Sequence, residues 1–436
     1  MKKKSLSLLA AGLSSLLLLS ACSSAGSTPA QTPASAGSTP AAPAEKVTIT
    51  FEQFSGSGDN LQYLQQMIDA YTAQNPNVTI KLQSYGFDDY FTQLTAKVSG
   101  GQAPDVFELN YENFVSYAKK GALLPLDGII KAQGINTGSY NQMALKAFQA
   151  DGQQYGVPNS FSNVVLIYNK DLFDQAGVAY PTDDWTWEDA MAAAQSIRAL
   201  GSDIFGYYHP ISFNEYYKVV RQNGGSLFND DYTQFTMDTP ANVEALQYMV
   251  DMQRKTNVMP TAEQMAGMGD WDLFKSGRLG MIVTGIWAFP DFTRDCAFDW
   301  DIAVEPGHTQ KASHFFSNGY VINKDSQVAE EAAKFIAFIS SDPQATQIRL
   351  DAGWELPPVT DQSIVDQYLA ITPPANREAV FKSLDYLVTP PVITQFAELQ
   401  DIIGQHLNDA AGGLVTPEQA LRDMQSDCEA KIDLSK

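Results

Sequence analysis

The sequence has few of the groups that carry catalysis. It contains four histidines in 436 residues, and none stands at the HExxH spacing that sets two imidazoles on one helix face to bind zinc. It also has neither a Walker loop nor a GxSxG turn. We therefore expect no catalytic residue, no metal and no cofactor, although a carboxylate pair of the kind used by glycoside hydrolases stays open among 50 acidic residues.

Basic residues and cysteines are scarce as well. The sequence has 28 Lys and Arg residues and 50 Asp and Glu residues, which gives a formal net charge of −22. Nucleic acid and anionic lipid both require basic clusters, so neither is an expected partner. Of the three cysteines, Cys428 shares a helical apolar stripe with Leu421, which favours a buried thiol. A bridge from Cys428 to Cys296 stays open because secretion permits disulfides.

The long apolar run of this sequence lies at its amino terminus. Lys2, Lys3 and Lys4 precede the Leu-rich stretch 6–19, a pattern typical of a signal peptide and too short for a stable membrane span. Leu19-Ser20-Ala21-Cys22 then resembles a bacterial lipobox, in which the Cys sulfur receives diacylglycerol. We predict a lipoprotein signal peptide at 1–21 and a lipidated Cys22, with the membrane contacted only through this anchor.

A tether and two domains are expected after Cys22. Residues 23–44 contain only Ser, Ala, Gly, Thr, Pro and Gln, a composition that cannot bury a core. We therefore assign 22–45 to the lipidated cysteine and a flexible tether. The rest of the chain exceeds the usual size of a single hydrophobic core, which favours two domains.

The mature chain begins with alternating strand and helix patterns. Residues 47–51 alternate as in a strand, and apolar residues then recur at helical spacing over 61–71. A strand at 78–82, a helix at 90–98 and a buried strand at 106–109 follow. This βαβαβ order predicts an α/β fold with a doubly wound, mostly parallel sheet. In such sheets ligands bind beyond the carboxyl ends of the strands.

The loops from Ser55 to Asn60 and from Asn110 to Asn113 should therefore face a ligand. Gly56-Ser57-Gly58 begins like a dinucleotide fingerprint, but Leu61 stands where the third glycine belongs and blocks the approach of a pyrophosphate. We expect this turn instead to present hydrogen-bonding groups to a ligand hydroxyl, with Asp59 near the cap of the next helix.

Aromatic residues are abundant, with 6 Trp, 19 Tyr and 23 Phe. Several fall in predicted loops, among them Tyr111, Trp287 and Trp354. An aromatic ring offers a flat apolar surface to a sugar, and neighbouring Asn, Asp and Glu side chains pair with sugar hydroxyls. Most such rings pack in a core or cover a hinge, but Trp287 follows a buried strand at 281–283 and is the strongest candidate for stacking.

Conspicuous motifs occur in order along the chain after the tether. They are Gly101 to Val106, Tyr155-Gly156-Val157-Pro158, Leu166 to Phe173, Trp185 to Asp189, Gly277 to Met281 and Gly285-Ile286-Trp287. Their order and residues resemble those of the family 1 extracellular solute-binding proteins, the sugar-binding lipoproteins of bacterial ABC importers.

The resemblance implies a type II periplasmic-binding-protein fold, with two α/β lobes, a hinge that crosses more than once and a ligand cleft between the lobes. By position, lobe 1 would comprise 46–157 and 314–350, and lobe 2 would comprise 158–313 and 351–436. Relatives stack sugar on the tryptophan that Trp287 matches. Leu109 stands where many maltodextrin binders carry an aromatic residue, which argues against maltodextrin itself.

The resemblance also places hydroxyl contacts on both lobes. The full set of predicted ligand-binding residues is Ser55, Asp59, Asn110, Tyr111, Glu112, Ser162, Asn163, Asn214, Trp287 and Trp354. None of the nominated loops carries Arg or Lys, which favours a neutral sugar over an anionic solute.

We therefore expect a monomeric, lipid-anchored protein on the outer face of the bacterial cell membrane. It should bind a sugar or oligosaccharide, close its lobes and deliver the sugar to the permease subunits of an ABC importer, without being an enzyme. A polyol phosphate or another non-sugar solute is the alternative ligand. A lipid-anchored glycoside hydrolase and a lipoprotein that serves as an adhesin or scaffold are the alternatives from other classes.

Overall fold

The computed structural model describes residues 45–56 and 58–435. The predicted signal peptide, Cys22 and the tether through residue 44 lie outside the described residues. The strands are β1 (Val47–Gln53), β2 (Val78–Ser84), β3 (Val106–Asn110), β4 (Gln149–Ala150), β5 (Gln153–Gln154), β6 (Gly156–Ser162), β7 (Val164–Asn169), β8 (Phe205–Tyr208), β9 (Leu279–Gly285), β10 (Trp300–Ala303), β11 (Ser313–His314), β12 (Phe316–Ile322) and β13 (Leu387–Val388). The strands expected near the amino terminus are thereby confirmed.

The helices surround two larger sheets. They are α1 (Asn60–Gln74), α2 (Phe87–Ser99), α3 (Tyr111–Lys119), α4 (Asp127–Gln133), α5 (Gln142–Lys146), α6 (Lys170–Ala176), α7 (Trp187–Arg198), α8 (Phe213–Gln222), α9 (Pro240–Arg254), α10 (Ala262–Met265), α11 (Asp270–Lys275), α12 (Phe289–Asp295), α13 (Ala329–Ser341), α14 (Pro343–Asp351), α15 (Gln362–Ala370), α16 (Glu378–Leu384), α17 (Phe396–Ala411) and α18 (Pro417–Lys431). Among the described residues, no helix combines the length and the apolar character needed to cross a membrane.

The first sheet has the strand order β2-β1-β3-β12-β6. β1 pairs in parallel with β2 and β3, while β12 runs antiparallel to both β3 and β6. Four of the five strands therefore point the same way, as the βαβαβ pattern predicts. α1 and α13 cover one face and contribute Leu64, Met67, Phe335 and Ile336 to its core.

The second sheet has the order β10-β7-β9-β8. β8 and β9 are parallel, and β7 runs antiparallel to its neighbours β9 and β10. Every residue of β7 is buried, as the apolar run in its sequence indicates. Each sheet thus consists of parallel strands with one reversed strand, β12 in the first sheet and β7 in the second.

The two reversed strands lie where the chain passes between the sheets. β6 ends at Ser162 in the first sheet, Asn163 alone connects it to β7 in the second sheet, and β12 enters the first sheet at Phe316. The predicted boundary between 157 and 158 therefore cuts a strand. Ser162 was expected in lobe 2, but it ends a strand of the first sheet. The division into lobes otherwise stays a prediction.

The two cysteines in the described chain are free thiols. Cys428 lies on α18 in the core that α17 and α18 form with α8 and α9, as its apolar stripe predicts. Cys296 lies partly buried after α12. The bridge that the sequence left open is not formed.

Candidate functional site

The ends of several strands bring predicted site residues together. β1, β3 and β6 point the same way, so Ser55, Asn110 and Ser162 lie toward one edge of the first sheet. β12 begins at this edge and pairs its Phe316 with Ser162. Trp287 follows β9 in the second sheet. Because one residue joins β6 to β7, the carboxyl ends of strands from both sheets meet around this connection.

The crossing segment, which we define as residues 313–316, is the centre of this region. His314 is fully buried, and its imidazole stacks on Phe316 with ring centroids 3.5 Å apart. Ser313 donates a hydrogen bond of 2.9 Å from its hydroxyl to the carbonyl oxygen of Val164, at the start of β7. β11 also pairs with β13, which fixes the segment against the carboxyl-terminal part of the chain.

Tyr111 and Glu112 approach the crossing segment from α3. Asn110 caps this helix by accepting a bond of 3.3 Å from the backbone N–H of Asn113, which fixes the first turn of the helix. The ring of Tyr111 packs edge-on against Phe315, with centroids 5.5 Å apart, and burial raises its pKa. Glu112 Oε1 lies 3.2 Å from His314 Nε2.

Trp287 and Asn214 reach the same segment from elements of the second sheet and its helices. The half-buried Trp287 ring stands edge-on to Phe316, with centroids 4.9 Å apart. The backbone oxygen of Asn214, on α8, lies 3.3 Å from His314 Nδ1. A Cβ atom on Gly285 would overlap the six-membered ring of Trp287, so the glycine of the Gly-x-Trp motif allows that ring to lie against the backbone.

Ser162 and Asn163 are both buried. The side-chain Nδ2 of Asn163 donates a hydrogen bond of 2.7 Å to the backbone oxygen of Val380. The backbone oxygen of Asn163 accepts a hydrogen bond of 3.2 Å from the backbone N–H of Ile286. Asn163 thereby connects the β6 to β7 link to the residue before Trp287. Asn163 thus lies where the chain passes between the two sheets, but its side-chain nitrogen already has a protein partner.

Ser55 is held by a buried carboxylate that sequence reasoning missed. Glu108, on β3, accepts from the Ser55 hydroxyl at 2.6 Å, from the Ser55 backbone N–H at 3.0 Å and from the Phe54 backbone N–H at 2.9 Å. Asn159, on β6, donates to the same carboxylate at 2.7 Å. Glu108 therefore shapes the loop after β1, and the Ser55 oxygen keeps lone pairs that can accept a bond.

Asp59 pairs with an arginine rather than capping its helix. It precedes α1 but makes no side-chain cap bond. Its carboxylate instead lies 2.9 Å from Arg294 Nη1, on α12. Asp291 and Asp295 also contact this guanidinium, and these hydrogen bonds raise the pKa of Arg294. The ion pair of Asp59 with Arg294 therefore connects α1, which packs on the first sheet, with α12, which follows β9 of the second sheet.

Trp354, another predicted ligand contact, is buried. Its ring is 3% exposed and belongs to the core beneath the first sheet. The guanidinium of Arg349 lies over it, 4.2 Å from the ring centroid. Trp354 therefore contributes to packing, and its place in a predicted loop did not reveal that burial.

A buried ionic cluster includes two residues of α8, Glu215 and Lys218. Lys218 Nζ stands 2.5 Å from Glu215 and 2.7 Å from Glu305, and His209 Nε2 lies 2.8 Å from Glu215. Burial alone raises the pKa of Glu215, but Lys218 and His209 lower it to about 2. His209, Glu215 and Glu305 are near enough to share a cation, yet a metal ion would have to displace the ammonium of Lys218.

Comparison with known proteins now identifies the family. Residues 55–346 match bacterial extracellular solute-binding proteins. The chain belongs to this family. An ABC substrate-binding protein of Listeria monocytogenes, solved in complex with cycloalternan, is 44% identical and aligns with a TM-score of 0.85 over 88% of this chain and 99% of that one.

More distant solute-binding proteins share the architecture. The cyclic alpha-maltosyl-1,6-maltose binding protein of Arthrobacter globiformis is 23% identical, with a TM-score of 0.72 over 88% of this chain and 98% of its own. The arabinooligosaccharide-binding protein of Halalkalibacterium halodurans is 22% identical over 86% of this chain and 88% of its length. The α/β fold and the family resemblance are confirmed, and membership in an extracellular family places the chain outside the cytoplasm.

Several residues that organise this solute-binding protein had no sequence signal of their own. His314 is one of four histidines, none at a zinc-binding spacing, and Phe316 is one of 23 phenylalanines. Arg294 lies 235 residues from Asp59. The Phe315-Phe316 pair directly after a lone histidine is the single local cue, and it does not reveal the partners of either ring.

Proposed function

We propose that this solute-binding protein is the carbohydrate-binding component of an ABC sugar importer, and that it takes an oligosaccharide. The observation that carries the proposal is the meeting of Trp287, from the second sheet, with Tyr111 and Glu112, from the first, around the crossing segment. Cycloalternan is the first candidate ligand, because the Listeria protein that was solved with it is 44% identical to this chain.

The chemistry of these side chains suits a neutral sugar. The half-buried ring of Trp287 offers an apolar surface for stacking. Glu112 accepts hydrogen bonds, the Ser55 hydroxyl oxygen can accept one while it donates to Glu108, and the Ser162 hydroxyl can both accept and donate. A sugar presents both features, an apolar C–H face and hydroxyls around its rim.

The charge arrangement disfavours the anionic alternative. A phosphate or carboxylate ligand is bound most strongly by a cation that is not already neutralised. Arg294 is already contacted by Asp59, Asp291 and Asp295, and Lys218 is buried between two glutamates. A polyol phosphate would therefore have to compete with carboxylates of the protein for either cation.

Binding should be coupled to a change in how the two sheets are arranged. The proposed contacts come from both sheets, so a sugar that touches both favours the arrangement that brings them together. The permease subunits of the importer would recognise this arrangement. Lobe closure is part of the proposal, with the monomer as its working unit.

We also propose a lipid anchor at Cys22, after removal of residues 1–21. The lipobox sequence supports this assignment, and residues 22–45 would hold the binding unit away from the membrane. Mass spectrometry of the mature protein should find a diacylated Cys22 as its first residue. An unmodified amino terminus further along the chain would contradict the anchor.

The function is tested by calorimetry with cycloalternan and linear oligosaccharides. Trp287→Ala should weaken binding about tenfold, or about 1.4 kcal/mol, because it removes the stacking surface. Trp185→Ala is a matched control, since Trp185 is also partly buried but contacts Phe173 instead. No binding of any sugar by the wild type, or turnover of the sugar during titration, would contradict the proposal.

A further inference from the structure

His314 makes polar contacts through both of its ring nitrogens. Its Nδ1 lies 2.7 Å from the Tyr217 hydroxyl and 3.3 Å from the backbone oxygen of Asn214. Its Nε2 lies 3.2 Å from Glu112 Oε1. The Tyr217 hydroxyl in turn stands 3.1 Å from the backbone oxygen of Val388. These contacts connect α3, the crossing segment, α8 and β13 through one buried imidazole.

The protons of this network can be assigned from its donors and acceptors. The backbone oxygen of Val388 already accepts a hydrogen bond of 3.1 Å from the backbone N–H of Phe315. The single proton of the Tyr217 hydroxyl can therefore point at His314 Nδ1, its nearer partner at 2.7 Å. A carboxylate oxygen of Glu112 is an acceptor, so His314 Nε2 must donate to it. A proton on Nε2, with Nδ1 as an acceptor, satisfies both side-chain contacts of the ring.

The tautomer with its proton on Nδ1 alone leaves acceptors facing each other. With Nε2 unprotonated, its lone pair points at the Glu112 carboxylate 3.2 Å away. Buried polar groups without a partner cost free energy, so the contacts of the ring favour a proton on Nε2.

The titratable groups that contact His314 lie on α3 and α8. From α3, Glu112 faces the ring directly. From α8, Tyr217 contacts the ring, and burial and Glu112 raise the pKa of Tyr217 well above its ordinary value, so this phenol keeps the proton that it donates to Nδ1. Glu215 and Lys218 also lie on α8, where they form the buried cluster with Glu305 and His209.

Glu112 has a second oxygen that these contacts do not use. Its side chain is 3% exposed, and Oε2 is buried without a hydrogen-bond partner among the described residues. A buried carboxylate oxygen is stabilised when it accepts a hydrogen bond. Tyr111 and the crossing segment, which lie next to Glu112, belong to the site assigned above to sugar.

We propose that His314 is a positioning residue of the sugar site: its Nε2–H holds Oε1 of Glu112, so that Oε2 is directed to accept a hydrogen bond from a sugar hydroxyl. This inference rests on the proposed function. Since Oε2 can only accept, it selects a ligand that donates at this position, and it repels phosphate and carboxylate groups. Because Tyr217 and Asn214 also hold the ring, the position of Glu112 depends on how α8 lies relative to α3.

Two substitutions separate the hydrogen bonds of His314 from its packing. His314→Phe retains a ring that can stack on Phe316 but removes the Nε2–H donor and the Nδ1 acceptor, and it should weaken cycloalternan binding about tenfold or more. His314→Gln places an amide N–H near the position of Nε2 and should recover most of the affinity. His406→Phe is the control, because His406 lies on α17 with Asp427 as its ion-pair partner and should bind as the wild type does.

The protonation state is measured separately in the ligand-free wild type. Nitrogen-15 NMR of protein labelled at histidine should show a protonated Nε2 for His314, assigned by loss of its signals in His314→Gln. An unprotonated Nε2, or a folded His314→Phe with wild-type affinity, would overturn the inference. If the wild type binds none of the sugars while Nε2 of His314 is protonated, the proposed function fails and the proton assignment stands.

Discussion

At the scale of single residues, the contrast between Trp287 and Trp354 shows what sequence could and could not predict. Both fall in predicted loops and both were expected to contact ligand. The Gly-x-Trp motif distinguishes Trp287, because Gly285 has no side chain where the indole lies. Nothing in the local sequence of Trp354 indicates that Arg349 covers its ring, since that contact depends on how α14 packs.

Gly285→Ala should therefore disturb the sugar site without touching a ligand. Its Cβ atom would overlap the Trp287 ring, so the indole must move, and cycloalternan affinity should fall about as much as in Trp287→Ala. Calorimetry gives the affinity, and tryptophan fluorescence reports the moved ring. Gly128→Ala is the control, since a Cβ atom there meets nothing within 4 Å; equal affinities for both variants would refute this role of Gly285.

Lys218→Met should destabilise the fold strongly. It leaves Glu215 and Glu305 buried without their ammonium partner, and breaking a buried ion pair in this way costs about 3–5 kcal/mol. Urea unfolding measures the loss. Lys255→Met removes an exposed lysine that pairs with Asp251 and should change the free energy of unfolding by less than about 1 kcal/mol. A similar small change for Lys218→Met would show that the cluster is not needed for stability.

At the scale of elements, periodic segments were predicted well. The alternation and helical spacing at the amino terminus correctly indicate β1, α1, β2, α2 and β3. The end of β6 had no such signal: the strand continues to Ser162, beyond the lobe boundary predicted between 157 and 158. A strand boundary of this kind depends on pairing with β12, which is 154 residues further along the chain at Phe316, so local pattern cannot reveal it.

The Asp59–Arg294 pair connects α1 and α12, and its contribution should be modest. Both side chains are more than half exposed, so Arg294→Gln should cost less than about 1 kcal/mol of unfolding free energy. If the pair favours the arrangement that binds sugar, Arg294→Gln should reduce affinity a few-fold at low salt, with the difference vanishing at high salt. Calorimetry at two ionic strengths measures this.

Arg422→Gln provides the comparison for that experiment. Arg422 is about as exposed as Arg294 and pairs with Glu418 within α18, so its loss should leave affinity unchanged at every salt concentration. A salt-independent loss of affinity in Arg294→Gln would instead indicate that the guanidinium contacts the ligand directly.

At the scale of the whole molecule, both sheets contribute to one region although they are built from interleaved parts of the chain. The crossing segment lies where the two sheets meet, and residues from α3, from α8 and from the end of β9 contact it. That convergence could be inferred from sequence only through family resemblance, because its members come from distant positions. The residues that hold it, His314 above all, required the three-dimensional contacts.

The most direct measurement is a crystal structure of the protein with cycloalternan. We expect the sugar to lie on the Trp287 ring, with a hydroxyl donating to Glu112 and contacts from elements of both sheets. A complex in which all contacts come from one sheet, or in which the sugar occupies the surface groove lined by Leu350, Gly353 and Gln367, would contradict the proposed site.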